Sequence, residues 1–148
     1  MIKLHPNIIT GSPTDLNQLS GSIYYIINCS INLNNLIIHQ NFINANITKF
    51  DFETLNILNN IYNFIKSKIL LNQTVFLLCE NGLGNSLIVG IFILMKMYNM
   101  NCMSVYYEIT KFNIINSYDF YSGLKNYEPY IITSNNYNFF NTNKMDIS

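Results

Sequence analysis

The chain has 148 residues, and 49% of them are hydrophobic, which is enough for one domain with a sizeable buried core. Eight Lys balance eight acidic residues, and only 11% of the chain is charged. Because the charges are few and balanced, the chain has a weak electrostatic field and is not expected to bind nucleic acid or an anionic membrane surface. The basic residues are all Lys, so the chain contains no Arg, and its commonest residues are Asn (26) and Ile (24).

Cysteine usage and the amino terminus predict the cellular compartment. The three cysteines, Cys29, Cys79 and Cys102, are odd in number and form no Cys-x-x-Cys pair, which argues against a disulfide framework and a zinc site. Met1–Pro13 lacks the apolar core of a signal peptide, and the longest apolar run, Leu87–Met95, is much shorter than a membrane span. We therefore expect an intracellular, cytoplasmic protein with reduced thiols, no metal and no cofactor.

Four strands are predicted before the first long helix. Asn7–Thr10 ends at a Gly-Ser-Pro turn, and Ile23–Ile27 is a continuous run of β-branched and aromatic residues, as expected of a buried strand. Two weaker strands are predicted at Leu36–His39 and Ile43–Ile47, and the segments between the strands are Asn-rich loops.

The second half of the chain is predicted to be mainly helical. Within Phe52–Leu71 the apolar residues recur at steps of three and four, which predicts a helix with one buried face. The run Val75–Leu78 predicts a central strand, and Asn85–Tyr98 predicts a helix that is apolar nearly all round and therefore the most buried. Two shorter helices are predicted near Met103–Lys111 and Tyr118–Tyr127.

Together these elements predict one α/β domain over residues 1–129, with a central mixed or parallel sheet of four to five strands flanked by helices. After Pro129 the chain becomes more polar while it stays rich in aromatic residues. We expect residues 130–148 to form a disordered tail or, alternatively, a segment that binds a partner.

The loop between the strand Val75–Leu78 and the helix Asn85–Tyr98 carries the clearest functional signal. A Gly-containing loop between a buried strand and a helix N-terminus binds oxyanions, because its backbone N–H groups converge and the helix dipole adds positive potential. Cys79 opens this loop. The residues expected to form the anion-binding loop are Glu80, Asn81, Gly82, Leu83, Gly84, Asn85 and Ser86.

This loop resembles the signature of the cysteine-dependent protein tyrosine phosphatases, and especially of the small dual-specificity group, His-Cys-x-x-Gly-x-x-Arg-Ser/Thr. Cys79, Gly82 and Ser86 stand at the family's spacing. Leu78 takes the position of the His, and Asn85 takes the position of the Arg. The resemblance extends over most of the chain and implies the fold of that group. The matching flanking segments are Ile9–Ser12 with Leu16 and Leu19, Ile26–Asn28, Phe64–Ile65, Phe92–Lys96 with Met100 and Ser104, and Phe120 with Leu124.

The resemblance also implies a catalytic apparatus that this chain retains only in part. In active members the Cys attacks phosphorus as a thiolate, the Arg holds two phosphoryl oxygens in a planar fork, and an Asp protonates the leaving oxygen. Here Cys79 is a vestigial nucleophile position, because Leu78 removes the imidazole and Glu80 adds a negative charge. Both changes disfavour a thiolate. Lys is a poor geometric substitute for the missing Arg.

The general acid is also displaced. Counting back from Phe64–Ile65 places the acid position on or near Thr48, and Asp51 follows shortly after it. Asp51 would serve as the acid only if the loop is remodelled. An Asp that directly precedes a helix more often caps the N–H groups of its first turn.

The resemblance therefore implies a pseudophosphatase, a catalytically inactive protein that binds a phosphoprotein or a signalling partner. Two alternatives stay open. One is a weakly active dual-specificity phosphatase that uses Cys79 with Asp51 as the acid, and the other is an unrelated α/β interaction domain, which a different sheet order would favour. The high content of Asn, Ile, Tyr and Phe is typical of an A/T-rich genome. It suits a large DNA virus, in which case the protein would act in the host cytoplasm.

Overall fold

The computed structural model describes residues 1–19, 25–35, 41–110 and 118–132. In this part of the chain the strands are β1 (Ile2–His5), β2 (Ile8–Gly11), β3 (Tyr25–Asn28), β4 (Phe42–Asn44) and β5 (Val75–Leu78). They form one sheet in the order β1-β2-β5-β3-β4. β1 pairs with β2 in antiparallel fashion and the other three pairings are parallel, so the sheet is mixed. The predicted α/β fold class is confirmed.

Helices flank this sheet on both faces. Those in the described ranges are α1 (Pro13–Gln18), α2 (Phe52–Leu70), α3 (Asn85–Tyr98), α4 (Cys102–Thr110) and α5 (Tyr118–Asn126), together with 3₁₀ turns at Ile31–Leu33 and Glu128–Tyr130. β5 and α3 have the bounds that the sequence predicts. α2, α4 and α5 differ from prediction by one residue at one or both ends.

The two short elements near the amino terminus, β1 and α1, do not follow from the hydrophobic pattern. β1 buries only Leu4, so it has no clear alternation of apolar and polar residues. α1 has six residues, too few to display a helical period. It is stabilised instead at its start by a capping box, in which the Ser12 side chain accepts from the Asp15 N–H and the Asp15 side chain accepts from the Ser12 N–H.

The strands on the other side of β5 also differ from prediction. β4 ends before the predicted strand Ile43–Ile47 does, because Asn46 has φ +56°, a left-handed conformation that interrupts a strand. β3 continues one residue beyond the predicted Ile23–Ile27, and residues 20–24 lie outside the described ranges. The predicted strand Leu36–His39 also lies outside them.

The core lies mainly on the face of the sheet that α2 and α3 cover. Val75 and Leu77 of β5 belong to this larger cluster of buried side chains. Phe76 and Leu78 belong to a smaller cluster, which includes Leu16 of α1, because alternate side chains of a strand point to opposite faces. β5 is therefore buried on both sides, as expected of a central strand.

α3 is buried along most of its length. Every residue from Ser86 to Met95 is buried, as the nearly all-round apolar sequence predicts. A Cβ added at Gly90 would lie 2.2 Å from the Leu4 Cδ1, so the absence of a side chain allows α3 to pack closely against β1. Two buried elements, β5 and α3, thus hold the two ends of the loop between them.

A sharp bend separates α3 from α4, the two most apolar neighbouring helices considered as a possible membrane span. Asn99 ends α3 in a left-handed conformation, and α4 leaves at 120° to α3. Within the described ranges, no single helix is long and apolar enough to cross a membrane. Only α3 and α4 taken together reach the length and composition required.

The described part of the chain ends in buried residues. After α5, the turn Glu128–Tyr130 leads to Ile131 and Ile132, which belong to the larger core cluster. Residues 133–148 lie outside the described ranges. The predicted tail, and the domain boundary placed after Pro129, stay predictions.

Candidate functional site

The loop predicted to bind an anion lies between the end of β5 and the first turn of α3. Gly82 has φ +78°, and an added Cβ there would lie 2.6 Å from the Gly11 Cα. Gly84 is the N-cap of α3, and no side chain accepts hydrogen bonds from the first turn at this cap. The loop therefore has a glycine-dependent backbone and a helix N-terminus without a side-chain cap.

Cys79 belongs to a buried network of side chains beneath this loop. It is 1% exposed, and its Sγ lies 2.9 Å from the Ser86 Oγ. The Ser86 Oγ lies 2.5 Å from the Thr10 Oγ1. The Thr10 hydroxyl donates to the Gly82 carbonyl oxygen at 3.1 Å. Since Thr10 and Ser86 are also fully buried, the network connects β2, the loop and α3 without contact with solvent.

Asn81 supports the opening of the loop through its side-chain oxygen. The Oδ1 accepts a hydrogen bond from the Leu83 backbone N–H at 2.9 Å. The same oxygen lies 4.0 Å from the Cys79 Sγ, at the outer limit for a sulfur contact. The amide group thus presents an acceptor, rather than its NH₂ donor, to the thiol.

A second thiol lies beside Cys79 at the end of β3. β3 and β5 run in parallel with Asn28 opposite Leu78, and the Cys29 N–H donates to the Leu78 carbonyl at 2.8 Å. Burial raises the pKa of the Cys29 thiol well above its ordinary value, and the neighbouring Cys79 raises it further. In α4, burial raises the pKa of Cys102 to about 12. Both groups are therefore neutral thiols at physiological pH.

Asn85, at the Arg position of the family signature, links the start of α3 to the end of β3. Its Nδ2 donates to the Cys29 carbonyl oxygen at 3.3 Å. An amide carries no charge and lacks the five donors that make the guanidinium a planar fork. Asn85 thus contributes neither the charge nor the geometry of the missing Arg.

Glu80 places a negative charge beside the loop. Its Oε2 accepts from the Asn32 Nδ2 at 2.8 Å. That hydrogen bond is the main reason why the pKa of Glu80 is lowered, and its own backbone N–H and the Ser30 side chain lower it further against the effect of desolvation. Glu80 is therefore a carboxylate at neutral pH.

An open cleft of about 430 Å³ lies in front of the loop. Its lining residues are Ser30, Ile31, Asn32, Ile47, Thr48, Glu80, Asn81, Gly84 and Asn85. Among these described residues only Glu80 is charged, and the others contribute amides, hydroxyls or apolar groups. Thr48, on or near which the sequence places the expected acid position, is part of the wall, and its hydroxyl is not an acid at physiological pH.

Asp51 lies at the start of α2 and not among the residues that line this cleft. Its Oδ1 accepts from the Thr54 N–H at 2.9 Å, and its Oδ2 lies 3.8 Å from the Lys49 Nζ. The Thr54 N–H is the main cause of the lowered pKa of Asp51. A general acid at neutral pH needs a raised pKa, so this environment favours the capping interpretation.

Several residues of the site lie outside the signature loop. The sequence does point to Thr10. This residue directly precedes Gly11-Ser12, where the family has Leu-Gly-Ser, so a polar residue stands where an apolar one is expected. Ser30, Asn32 and Cys29 carry no such signal. The parallel register of β3 and β5 brings them to the loop, and that register follows from the whole sheet.

Solved structures with this architecture cover most of the chain. The crystal structure of DUSP15 matches with a TM-score of 0.70 at 18% identity, over 85% of this chain and 85% of that chain. The fold is that of the dual-specificity phosphatases. The human tyrosine phosphatase-like serine/threonine/tyrosine-interacting protein matches with a TM-score of 0.70 at 17% identity, over 88% of this chain and 96% of that chain. Human DUSP28 matches with a TM-score of 0.66 at 15% identity, over 88% and 96%.

The dual-specificity phosphatase fold confirms the fold that the signature loop implies. It also removes the structural support for an unrelated α/β interaction domain, which depended on a different sheet order. The similarity lies in the fold rather than in close sequence identity: no protein-family model matches the chain, and no curated protein sequence matches it either.

Proposed function

We propose that this chain is a catalytically inactive phosphatase-like protein, a pseudophosphatase that binds a phosphoprotein or a signalling partner at the cleft beside Cys79. The observation that carries the proposal is the charge of the cleft. Of its described lining residues only Glu80 is charged, and it is a carboxylate. A phosphoryl group that arrives at the loop meets the like charge of Glu80, and the uncharged amide of Asn85 stands where an active enzyme presents a guanidinium.

The missing groups predict a large loss of rate. One preorganised oxyanion donor is worth roughly 10²–10³ in rate, and a general acid is worth about 10²–10⁴. The loss of Arg and Asp together is therefore expected to cost at least about 10⁴-fold, even though such effects are not additive. No other segment can supply the fork, because the chain contains no Arg.

The remaining groups suit the binding of a protein rather than of phosphate alone. The cleft wall presents the amides of Asn32, Asn81 and Asn85 and the hydroxyls of Ser30 and Thr48. We expect free phosphotyrosine to bind with millimolar or weaker affinity, which corresponds to a binding free energy of about −4 kcal/mol or one that is less favourable. Contacts with the rest of the partner then supply most of the affinity. Support also comes from the human protein of the same fold that is named phosphatase-like and serine/threonine/tyrosine-interacting.

Turnover assays test the proposal directly. The purified chain is incubated with para-nitrophenyl phosphate and with a phosphotyrosine peptide, and Cys79→Ser serves as the control. We expect no turnover by either protein. Turnover that Cys79→Ser abolishes would overturn the proposal. A pull-down from cytoplasmic extract, with and without phosphatase pretreatment, then shows whether the partner is recognised through phosphate.

One observation favours a second candidate, a weakly active phosphatase that uses Cys79 with Asp51 as the acid. The Cys79 thiol and the Ser86 hydroxyl, the two reactive positions of the family signature that this chain retains, lie 2.9 Å apart. Vanadate distinguishes the two candidates. Vanadate binding that Cys79→Ser abolishes would favour the residual enzyme, whereas binding that is absent or unaffected by Cys79→Ser would favour the binding protein.

A further inference from the structure

The direction of the hydrogen bonds around Cys79 can be deduced by counting protons, beginning at Thr10. A hydroxyl has one proton to donate, and a carbonyl oxygen only accepts. The Thr10 Oγ1 lies 3.1 Å from the Gly82 carbonyl oxygen, so the Thr10 proton is used in that bond. The Thr10 oxygen is then the acceptor in its 2.5 Å contact with the Ser86 Oγ.

The same count determines the role of the thiol. The single proton of Ser86 points to Thr10, so the Ser86 oxygen accepts in its 2.9 Å contact with the Cys79 Sγ. With the protons placed in this way, Cys79 donates to the Ser86 oxygen, which requires an S–H group. Asn81 agrees with this direction, because the oxygen that it turns toward the sulfur already accepts from the Leu83 N–H and is held as an acceptor.

We infer that Thr10 is a positioning residue that keeps Cys79 protonated, by taking the only proton with which Ser86 could stabilise a thiolate. The chain is buried throughout, from Thr10 and Ser86 to Cys79, so no competing donor is expected from solvent. The ionisable groups beside Cys79 are the neutral Cys29 thiol and the Glu80 carboxylate, and neither stabilises a negative charge on the sulfur. The inference does not rest on the proposed function, since it concerns the thiol with no partner bound.

The test is the rate at which iodoacetamide alkylates Cys79, measured by peptide mapping between pH 6 and pH 10. Thr10→Val keeps the β-branched shape and removes the hydroxyl, which leaves Ser86 able to donate to the sulfur. At pH 7 we expect Cys79 to react roughly tenfold faster in this variant, a factor equivalent to about 1.4 kcal/mol. Its pH profile should move to lower pH.

Two variants separate this effect from a general loosening of the fold. Thr10→Ser keeps the hydroxyl and should alkylate like the native chain. The double variant Thr10→Val with Ser86→Ala lacks the hydroxyl that would donate to the sulfur, so its Cys79 should alkylate no faster than in the native chain. Cys29 and Cys102 report local opening in the same digests and should keep their rates.

Three results would overturn the inference: an unchanged Cys79 profile in Thr10→Val, a gain that persists without the Ser86 hydroxyl, or an equal acceleration at all three cysteines. Phosphatase turnover by the native chain would contradict the proposed function instead. Because alkylation is measured without substrate, the two failures are distinguishable.

Discussion

The side-chain amide of Asn32 donates a 2.8 Å hydrogen bond to the Glu80 carboxylate, and both residues line the same cleft. The bond connects the 3₁₀ turn Ile31–Leu33 to the loop that follows β5. It also keeps Glu80 ionised, since hydrogen bonding to the charged form lowers the pKa of a carboxyl group. The negative charge of the cleft is therefore held in place by a neighbouring element rather than being left to a mobile side chain.

Neutralising this carboxylate should improve the binding of anions. We expect Glu80→Gln to bind tungstate about fivefold more tightly than the native chain, which corresponds to about 1 kcal/mol for like charges about 4 Å apart in water. Calorimetric titration at low salt measures the difference. Glu53→Gln removes an exposed carboxylate in the first turn of α2 and should leave the affinity unchanged. Equal gains in both variants would show that only net charge matters.

Restoring the missing Arg should recover anion binding more than catalysis. We expect Asn85→Arg to raise the affinity for tungstate roughly 10- to 100-fold, the range of a charge-assisted hydrogen bond worth about 1.5–3 kcal/mol. Turnover should stay undetectable, because Leu78, Glu80 and Thr48 are unchanged. Asn85→Lys is the matched control and should gain less, since a point charge lacks the bidentate fork. Full activity from Asn85→Arg alone would mean that a general acid is already present.

Variants at Asp51 distinguish its role as a helix cap from a role as a general acid. Asn is also a good N-cap, so Asp51→Asn should keep most of the thermal stability, whereas Asp51→Ala should lower the Tm. The folded-state pKa of Asp51 is lowered from its ordinary 3.8, so its stabilisation is present above that pH and is lost as the pH falls further. The Tm difference between the native chain and Asp51→Ala should therefore shrink only in acid. Loss of a residual turnover in Asp51→Asn would support the acid role instead.

The backbone of the loop should tolerate no side chain at Gly82. With φ +78° and an added Cβ 2.6 Å from the Gly11 Cα, Gly82→Ala is both strained and crowded. We expect the free energy of unfolding in urea to fall by more than about 1 kcal/mol. Gly84→Ala is the comparison, because its Cβ would lie 3.8 Å from the Cys79 Sγ, an ordinary contact. A loop that rearranges freely would show equal losses in the two variants.

The parts of the fold that the sequence predicts well are those with long apolar runs. β5 and α3 are buried almost completely, so their patterns have one interpretation, and both elements begin and end at the predicted residues. α1 begins with a capping box at Ser12 and Asp15, a signal that is visible in the sequence but that hydrophobic periodicity ignores. β1 offers only one buried residue, Leu4, and depends on its pairing with β2.

The site was predictable only where it is contiguous in the chain. The loop Cys79–Ser86 is recognised from its glycines between a strand and a helix and from its resemblance to the family signature. The groups that set its charge and its protonation come from elsewhere: Asn32 follows β3, and Thr10 belongs to β2. Their approach depends on the order and register of the strands, which local patterns do not determine.

The burial of α3 predicts which backbone amides of the domain exchange most slowly with solvent. Ten successive buried residues, Ser86–Met95, follow directly on the loop, and the Leu87 N–H already donates to the Gly84 carbonyl at 3.0 Å. Amides of this segment should exchange with deuterium only when the whole domain unfolds, whereas the exposed Asn81 belongs to the part that exchanges first. Substitutions among the polar groups of the loop should leave that slow exchange intact. Changes in the loop can therefore alter its chemistry without disturbing the buried elements that shape the surface around it.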